Sequence, residues 1–178
     1  MKRLLIIISV FFFATSCKIA EKETYLISDN YIGNIVIFGG VKSGEPKIYG
    51  KDAERIYLIP KTGILITLFK PTYGIINKSF FYLSRNKRTK INGIPLQDDW
   101  KNLDIGKVYA FFGNDSQIVF PKNKDSVYVE VVAICKPRDF EKISNEPFLK
   151  EISEASFSPL KINYKALLEL RDSSKLNK

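Results

Sequence analysis

Ser126-Val-Tyr-Val-Glu-Val-Val-Ala-Ile134 is the clearest β-strand in the sequence, because valine, isoleucine and tyrosine fit an extended, half-buried backbone. Alternate residues of a strand share a face, so Tyr128 and Glu130 lie on one face and the small apolar residues lie on the other. We expect the small apolar face to point into the core of the protein, where Cys135 would be buried and unreactive. That face consists of Val127, Val129, Val131, Ala133 and Cys135.

Six earlier runs have the same β-type composition as this strand. They are separated by glycine, proline, asparagine and aspartate, which end strands and form turns. Consecutive strands joined by short loops favour an antiparallel β-sandwich, which we assign to residues 25–136. The seven predicted strands span residues 35–38, 55–59, 64–69, 79–83, 107–112, 117–120 and 126–134.

Helical periodicity follows residue 136. Ser158 can cap a helix that Pro159 begins, because proline is tolerated in the first helical turn, and an apolar stripe follows. We predict one or two helices within residues 137–172 that pack on the sheet, with partner binding as the alternative role of the stripe. Residues 173–178 are predicted to be a flexible tail. The predicted fold is therefore mainly β with one or two C-terminal α-helices.

The first 17 residues resemble the signal sequence of bacterial lipoproteins. Two basic residues precede an apolar run at residues 4–13, which is too short to cross a membrane core of about 30 Å. Residues 14–17, Ala-Thr-Ser-Cys, then resemble a lipobox, in which a peptidase cuts before a cysteine that carries diacylglycerol. The resemblance implies cleavage between Ser16 and Cys17, removal of the signal peptide at residues 1–16, and lipid on Cys17. An ordinary secretory signal is the alternative.

A lipid on Cys17 would anchor the protein in the cell envelope. Two or three acyl chains hold a protein firmly, because each buried methylene contributes about 0.8 kcal/mol. Residues 17–24 carry alternating charges and no aromatic side chain, and they are predicted to be a lipidated tether. Proteobacterial lipoproteins retained in the inner membrane have an aspartate after the cysteine. This chain has lysine there, so we expect the outer membrane where the host has two membranes.

The composition argues against most enzymatic chemistry. The chain of 178 residues has two cysteines and no histidine, so it lacks the commonest general base and the commonest ligand of transition metals. It has no glycine-rich phosphate-binding motif. Asp98, Asp99 and Asp104 do not have the spacing of a calcium loop, which leaves calcium as the weaker alternative to a solvated turn. We expect no enzyme activity, no catalytic residue, no cofactor and no metal site.

The formal net charge is +9, but we expect no nucleic acid partner. A lipid-anchored envelope protein does not meet the chromosome, and no segment interleaves basic and aromatic side chains. The densest basic cluster, at residues 85–90, lies between an apolar run and the turn residues Asn92-Gly93. It is predicted to be the solvated end of a hairpin, with contact to an anionic surface as the alternative.

Residues 25–83 contain a characteristic set of apolar, glycine and proline positions. It consists of Tyr-Leu-Ile-Ser at 25–28, Tyr31, Gly33, Ile-Pro-Lys-Thr-Gly at 59–63, and Thr67. The pattern resembles the N-terminal module of a family of small bacterial proteins, many of them lipoproteins, that is catalogued as a domain of unknown function. The resemblance implies a prealbumin-like β-sandwich and no activity.

Two groups of residues are candidate sites on the predicted surface. Trp100, Tyr73 and Tyr109 could form an aromatic platform for sugar rings, with packing in the core as the alternative. Residues 125–127, Asp-Ser-Val, resemble the O-glycosylation signal of Bacteroidota, which implies a glycan on Ser126. A turn at the entry to the last strand is the alternative explanation of that triplet.

The predicted anchor and the scarcity of catalytic groups indicate a non-enzymatic envelope lipoprotein that binds or scaffolds another component. Its expected partners are the membrane, through the lipid on Cys17, and an envelope protein or a glycan. A surface glycan-binding accessory protein is the alternative.

Overall fold

The computed structural model of the chain describes residues 21–72, 77–85, 87–113, 117–119 and 127–145. In these ranges the protein forms ten β-strands and one short α-helix, with two 3-10 turns at Lys51–Ala53 and Pro137–Asp139. The strands are β1 Glu23–Ser28, β2 Gly33–Gly39, β3 Ile48–Tyr49, β4 Arg55–Leu58, β5 Ile64–Thr67, β6 Lys78–Ser84, β7 Lys87–Pro95, β8 Tyr109–Phe112, β9 Gln117–Val119 and β10 Val127–Cys135, and the helix is α1 Phe140–Ser144.

The strands form one curled, mixed sheet in the order β3-β4-β1-β6-β7-β8-β10-β2-β5, and β9 pairs with β10. Four neighbouring pairs are parallel: β1 with β4, β1 with β6, β2 with β5, and β7 with β8. The mainly β class is confirmed, but the antiparallel sandwich of about seven strands is wrong. Parallel pairing joins strands that are distant in sequence, and local patterns do not specify such partners.

All seven predicted strands overlap observed ones, and β1, β3 and β7 are additional. β7 occupies the basic segment whose tip was predicted to be solvated. Its side chains at residues 87–90 are exposed, and the hairpin turn lies just before them at Arg85, whose φ of 51° is in the left-handed region that tight hairpin turns require.

The predicted turn at Asn92-Gly93 is wrong, because both residues lie inside β7. β7 pairs with β6 through residues 87–91 and then with β8 through residues 92–95. It therefore joins the two halves of the curled sheet, one formed by β3, β4, β1 and β6 and the other by β8, β10, β2 and β5. A Cβ atom on Gly93 would lie 3.0 Å from the ring of Phe80 and 3.1 Å from the ring of Phe112. Glycine is therefore needed here for close packing rather than for a turn.

The two halves of the sheet pack face to face around a central cluster of buried side chains. Tyr128, Glu130, Val132 and Ile134 of β10 point to this side, whereas Cys135 belongs to a smaller cluster on the opposite face of the sheet. Cys135 is buried as predicted, but the opposite face of β10, with Tyr128 and Glu130, is buried as well, so both faces of the strand are covered. The central cluster consists of Tyr25, Ile27, Ile35, Ile37, Tyr57, Ile59, Leu65, Phe69, Phe80, Ile91, Ala110, Val132 and Ile134.

The smaller cluster, here called the outer cluster, joins α1 and the loop at residues 96–106 to β8 and β10. Phe140 and Ile143 of α1 pack there with Trp100 and Phe111. The helix predicted to begin near Pro147, the longer helix after Pro159 and the rest of the segment to residue 172 lie outside the described residues.

β1 begins at Glu23, inside the segment predicted to be the tether. Glu21, just before the strand, forms an ion pair with Arg55 at the start of β4, and the backbone N–H of Arg55 donates to the carbonyl of Lys22 at 2.8 Å. The chain is therefore bound to the sheet from residue 21 onward. Only residues 18–20 of the predicted tether lie between Cys17 and the first described contact.

Candidate functional site

A buried polar cluster lies in the space between the two halves of the sheet. It contains Glu23 and Tyr25 of β1, Lys78 of β6 and Glu130 of β10. Glu23 and Lys78 are neighbours because β1 and β6 pair in parallel with these residues in register, and Glu130 faces them from the other half. Glu23 and Glu130 are only 4% and 5% exposed, so each charge there must be neutralised or hydrogen-bonded.

The hydroxyl of Tyr25 links the two carboxyl groups. Its oxygen lies 2.9 Å from Oε2 of Glu23 and 2.8 Å from Oε1 of Glu130. Nζ of Lys78 lies 2.6 Å from the same Oε1 of Glu130, and both side chains of this ion pair are 6% exposed. The ammonium group therefore neutralises one of the two carboxylates.

The second carboxyl group, that of Glu23, has its pKa shifted by its surroundings. Burial, followed by repulsion from Glu130, raises the pKa of Glu23 above its ordinary value of 4.5. Hydrogen bonds from Thr72 and Tyr25 and the charge of Lys78 act in the opposite direction and lower it. The net effect is that the folded protein holds the proton of Glu23 more tightly than a solvent-exposed glutamate does.

Other hydroxyl groups complete the surroundings of Glu23. The hydroxyl of Thr72 donates to Oε1 of Glu23 at 2.8 Å, and the hydroxyl of Tyr57 lies 3.4 Å from the same oxygen and 3.5 Å from the hydroxyl of Tyr128. Burial is the main cause that raises the pKa of Tyr25 and Tyr57 above the ordinary value of 10.0. These tyrosines therefore stay protonated and act as hydrogen-bonding groups at neutral pH.

The raised pKa of Glu23 predicts a pH dependence of stability. We expect the free energy of unfolding to fall as pH rises from 4.5 through the raised pKa of folded Glu23, because the folded state retains a proton that the unfolded state has released. Glu23→Gln should remove this contribution, since its amide does not titrate. Urea unfolding over this pH range measures both slopes.

Asp98→Asn is the matched control for Glu23→Gln, because Asp98 is exposed and its substitution also removes one carboxylate. The control should keep the pH slope of the wild-type protein. Equal slopes for the wild-type protein and Glu23→Gln would show that Glu23 titrates in the same way in both states.

A groove of about 650 Å³ opens beside this cluster. It lies where β6 and β7 separate, between residues 78–79 of β6 and residues 92–95 of β7, and we call it the seam groove. Lys78, Phe80 and Phe112 are among its lining residues. The ring centres of Phe80 and Phe112 are 5.5 Å apart, and Phe80 is only 1% exposed. Neither Glu23 nor Glu130 lines the groove. Glu130 is connected to the groove only indirectly, because it pairs with Lys78, which is a lining residue.

The structure places two of the three predicted platform residues in the outer cluster. The ring of Trp100 packs against Phe111 and Phe140, with centre distances of 4.8 and 4.6 Å. Tyr109 is 6% exposed, and its hydroxyl accepts a hydrogen bond from the backbone N–H of Asp104 at 3.1 Å. Both residues therefore pack in the protein interior, which was the alternative to a surface platform for sugar rings.

The remaining predicted sites cannot be placed. Tyr73 of the platform, Ser126 of the glycosylation triplet, and the cleavage and lipid sites at Ser16 and Cys17 all lie outside the described residues. They stay predictions from the sequence.

The acidic residues near Trp100 form bonds within their own loop. Asp99 accepts a hydrogen bond from the backbone N–H of Lys101 at 3.0 Å, and Asp104 accepts one from that of Gly106 at 2.9 Å. Within the described ranges, no group of three or more side chains from histidine, cysteine, aspartate and glutamate could hold a metal ion.

Cys135 is a free, buried thiol in the outer cluster. Burial, with a smaller contribution from Asp139, raises its pKa to about 11. Because the thiolate is the reactive form of cysteine, this side chain is suited to packing rather than to nucleophilic chemistry.

Sequence reasoning missed the buried polar cluster and the seam groove. One signal was present, since Glu130 is the single charged residue in the apolar stretch 127–135 and shares its face with Val132 and Ile134. A charge among inward-facing residues requires a partner. The identity of that partner, Lys78, depends on the contact between β6 and the other half of the sheet.

Comparisons with known proteins identify a family and a solved structure of similar fold. A family model described as a family of unknown function (DUF6843) matches residues 20–132. A crystal structure of a "putative lipoprotein" from Bacillus anthracis has a similar fold, with a TM-score of 0.51 and 14% identity over 87% of this chain and 96% of that one. No curated protein matches the chain. The family match extends well beyond the pattern at residues 25–83, to residue 132 in β10.

Proposed function

We propose that this chain, which belongs to the family of unknown function DUF6843, is a lipid-anchored envelope protein whose β-domain binds another envelope component without catalysing a reaction. The lipobox-like sequence at residues 14–17 supports the anchor, and the seam groove supports the binding role. The observation that carries the proposal is the position of β1, because it joins the predicted anchor directly to a folded domain.

The anchor and the domain are separated by a very short segment. β1 begins at Glu23, and the chain from Cys17 to Glu23 can span at most about 20 Å when fully extended. The ends of the strands near Glu23, which include the starts of β4 and β6, would therefore lie close to the lipid surface. The outer membrane stays a prediction from the residue after Cys17. Within the ranges that the structure describes, no helix is long and apolar enough to cross a membrane.

The chemistry of the described residues favours binding over catalysis. The two buried carboxyl groups bond Tyr25, Lys78 and Thr72, and they do not line the groove. The groove itself presents lysine, serine, amide and aromatic side chains, which are suited to holding ligands, and among the described residues no side-chain hydrogen bond joins Ser79 to a basic group that would activate it.

The anchor can be tested with the two cysteines of the chain as a matched pair. We expect a clickable fatty acid fed to the bacterial host to label the wild-type protein and Cys135→Ala, and to leave Cys17→Ala unlabelled and outside the membrane fraction. Mass spectrometry of the N-terminal peptide should show cleavage before Cys17. Labelling of Cys17→Ala, or an unmodified Cys17 in the membrane fraction, would overturn the proposed anchor.

The glycan-binding alternative has no described surface to support it, because Trp100 and Tyr109 pack inside the outer cluster. Fluorescence of Trp100, the only tryptophan, tests it directly. We expect emission typical of a buried indole, unchanged by added oligosaccharides. A shift on addition of sugar would restore the aromatic platform.

A further inference from the structure

The strands β4, β1, β6 and β7 have a second face, on the side opposite to the central cluster. Tyr57, Tyr25 and Phe80 point into the central cluster, so the residues next to them in each strand point away from it. The strand registers align these outward residues in two rows, and we call the surface that they form the lateral face. One row contains Leu58, Leu26, Phe81 and Lys90, and the other contains Ser28, Leu83 and Arg88.

Apolar side chains are exposed on the lateral face. Leu58 is 47% exposed, and Ile48 of β3, which shares the face because it pairs with Ile56, is 39% exposed. Leu26 and Ile56 between them are buried, and the two β6 residues of the rows are partly exposed. On the other half of the sheet, α1 and the loop at residues 96–106 cover the corresponding side. The lateral face therefore retains apolar side chains that a further surface can bury.

Positive charge borders the lateral face along the hairpin of β6 and β7. Residues 55–97 contain eight basic residues and no acidic residue. Two carboxylates lie beyond the ends of the strands, Asp29 after β1 and Glu54 before β4, and Glu54 accepts a hydrogen bond from Thr24. Four basic side chains of the hairpin are exposed, and none of them forms an ion pair with a described residue. They are Arg85, Lys87, Arg88 and Lys90.

The proposed anchor lies within reach of this face. The chain from Cys17 to Glu23 spans at most about 20 Å, and β1, which begins at Glu23, is one of the strands of the lateral face. Ser28, in one row with Arg88, lies about 17 Å from Glu23 along β1. Strands that stood upright on the membrane would hold the hairpin charges beyond the screening length of about 8–10 Å. With the lateral face turned toward the membrane, the strand ends and the hairpin reach the same surface.

We propose that the lateral face lies flat on the membrane that holds the lipid of Cys17, with the β6-β7 hairpin on anionic lipid headgroups. Anionic lipids attract basic side chains within a screening length, and a surface that combines apolar and basic side chains is typical of membrane interfaces. The exposed Leu58 and Ile48 favour a lipid surface over a dissolved polyanion, because lipid buries apolar side chains as well as binding the cations. This inference rests on the proposed anchor, and it adds the orientation of the domain and the class of lipid that it contacts.

The test measures where the hairpin lies on vesicles that hold the lipidated chain purified from membranes. Ser84→Cys, at the exposed end of β6, combined with Cys135→Ala leaves one free thiol for an environment-sensitive fluorophore, because Cys17 carries lipid. In vesicles that contain phosphatidylglycerol, we expect emission at shorter wavelength and quenching by brominated lipid chains. In vesicles of phosphatidylcholine alone, both effects should be weak. Glu141→Cys, on α1 at the opposite side of the molecule, is the matched labelling control and should show neither effect.

Substitutions on the labelled chain identify the contacts. Arg88→Glu with Lys90→Glu should lower the quenching in anionic vesicles to the level in neutral ones, because repulsion replaces attraction. Arg138→Glu with Lys142→Glu, two exposed residues at α1, makes the same change of net charge and should leave the quenching unchanged. Leu58→Asn should lower the quenching without a change of charge, since an apolar contact is lost.

The outcomes separate the lateral contact from the anchor. An unquenched label in anionic vesicles, equal quenching in both kinds of vesicle, equal losses in the two double variants, or unchanged quenching in Leu58→Asn would each overturn the proposed contact. An unquenched label that responds to soluble polyglutamate would overturn it in favour of an acidic protein partner. A free thiol on Cys17, detected by mass spectrometry of the N-terminal peptide, would refute the anchor and this inference with it. A lipidated chain with an unquenched label would refute the contact and keep the anchor. Unchanged Trp100 fluorescence confirms that each variant is folded.

Discussion

Replacement of Lys78 by methionine is expected to lower the free energy of unfolding by about 3–5 kcal/mol, as removal of one partner from a buried ion pair does. Methionine fills much of the space of the lysine stem, so the loss comes chiefly from the charge. Glu130 would then be buried without its ammonium partner, beside a second carboxyl group at Glu23. Urea unfolding of the wild-type protein and Lys78→Met measures the difference.

A double-mutant cycle identifies the cause of this loss. Glu130→Gln removes the unpaired charge, and its carbonyl still accepts from Tyr25, so Lys78→Met combined with Glu130→Gln should recover most of the stability. Lys107→Met is the matched control, because Lys107 pairs with Asp104 at 3.6 Å while 70% exposed, and such pairs contribute about 0–1 kcal/mol. A cost for Lys78→Met no larger than that of the control would contradict the buried pair.

Replacement of Phe111 by alanine is expected to cost about 3–5 kcal/mol, the range for loss of a buried aromatic ring with a cavity left behind. Phe111 is 1% exposed and its ring packs against Trp100 and Phe140, with centre distances of 4.8 and 5.0 Å. Its removal would separate the loop at residues 96–106 and α1 from β8. Chemical denaturation measures the loss.

Trp100 reports on the same change. Its emission should move to longer wavelength in Phe111→Ala, because water gains access to the vacated space beside the indole. Phe81→Ala is the control, since Phe81 is only partly buried and lies on β6, far from the outer cluster in the sheet order. Phe81→Ala should cost less and leave the emission unchanged. Equal emission in both variants would show that Phe111 does not shield Trp100.

The strands that were missed show where local patterns are insufficient. β7 contains four polar residues at 87–90 and an Asn-Gly pair, which are typical of a turn, but β6 and β8 pair with it on both sides. β1 begins with Glu23, a residue typical of a solvated tether, which becomes buried because Tyr25, Thr72 and Tyr57 bond it. In both cases the tertiary neighbours outweigh the local preference.

The amino-acid sequence by itself determined the mainly β class, the positions of seven strands and the lipoprotein-like start of the chain, because composition and two-residue periodicity are local properties. Only the tertiary structure decided the strand order, the face of β10 that points to the centre, and the meeting of Glu23, Lys78 and Glu130. These depend on pairing between distant segments, for which many registers satisfy the same local pattern. The seam groove arises in the same way, because β7 leaves β6 to pair with β8.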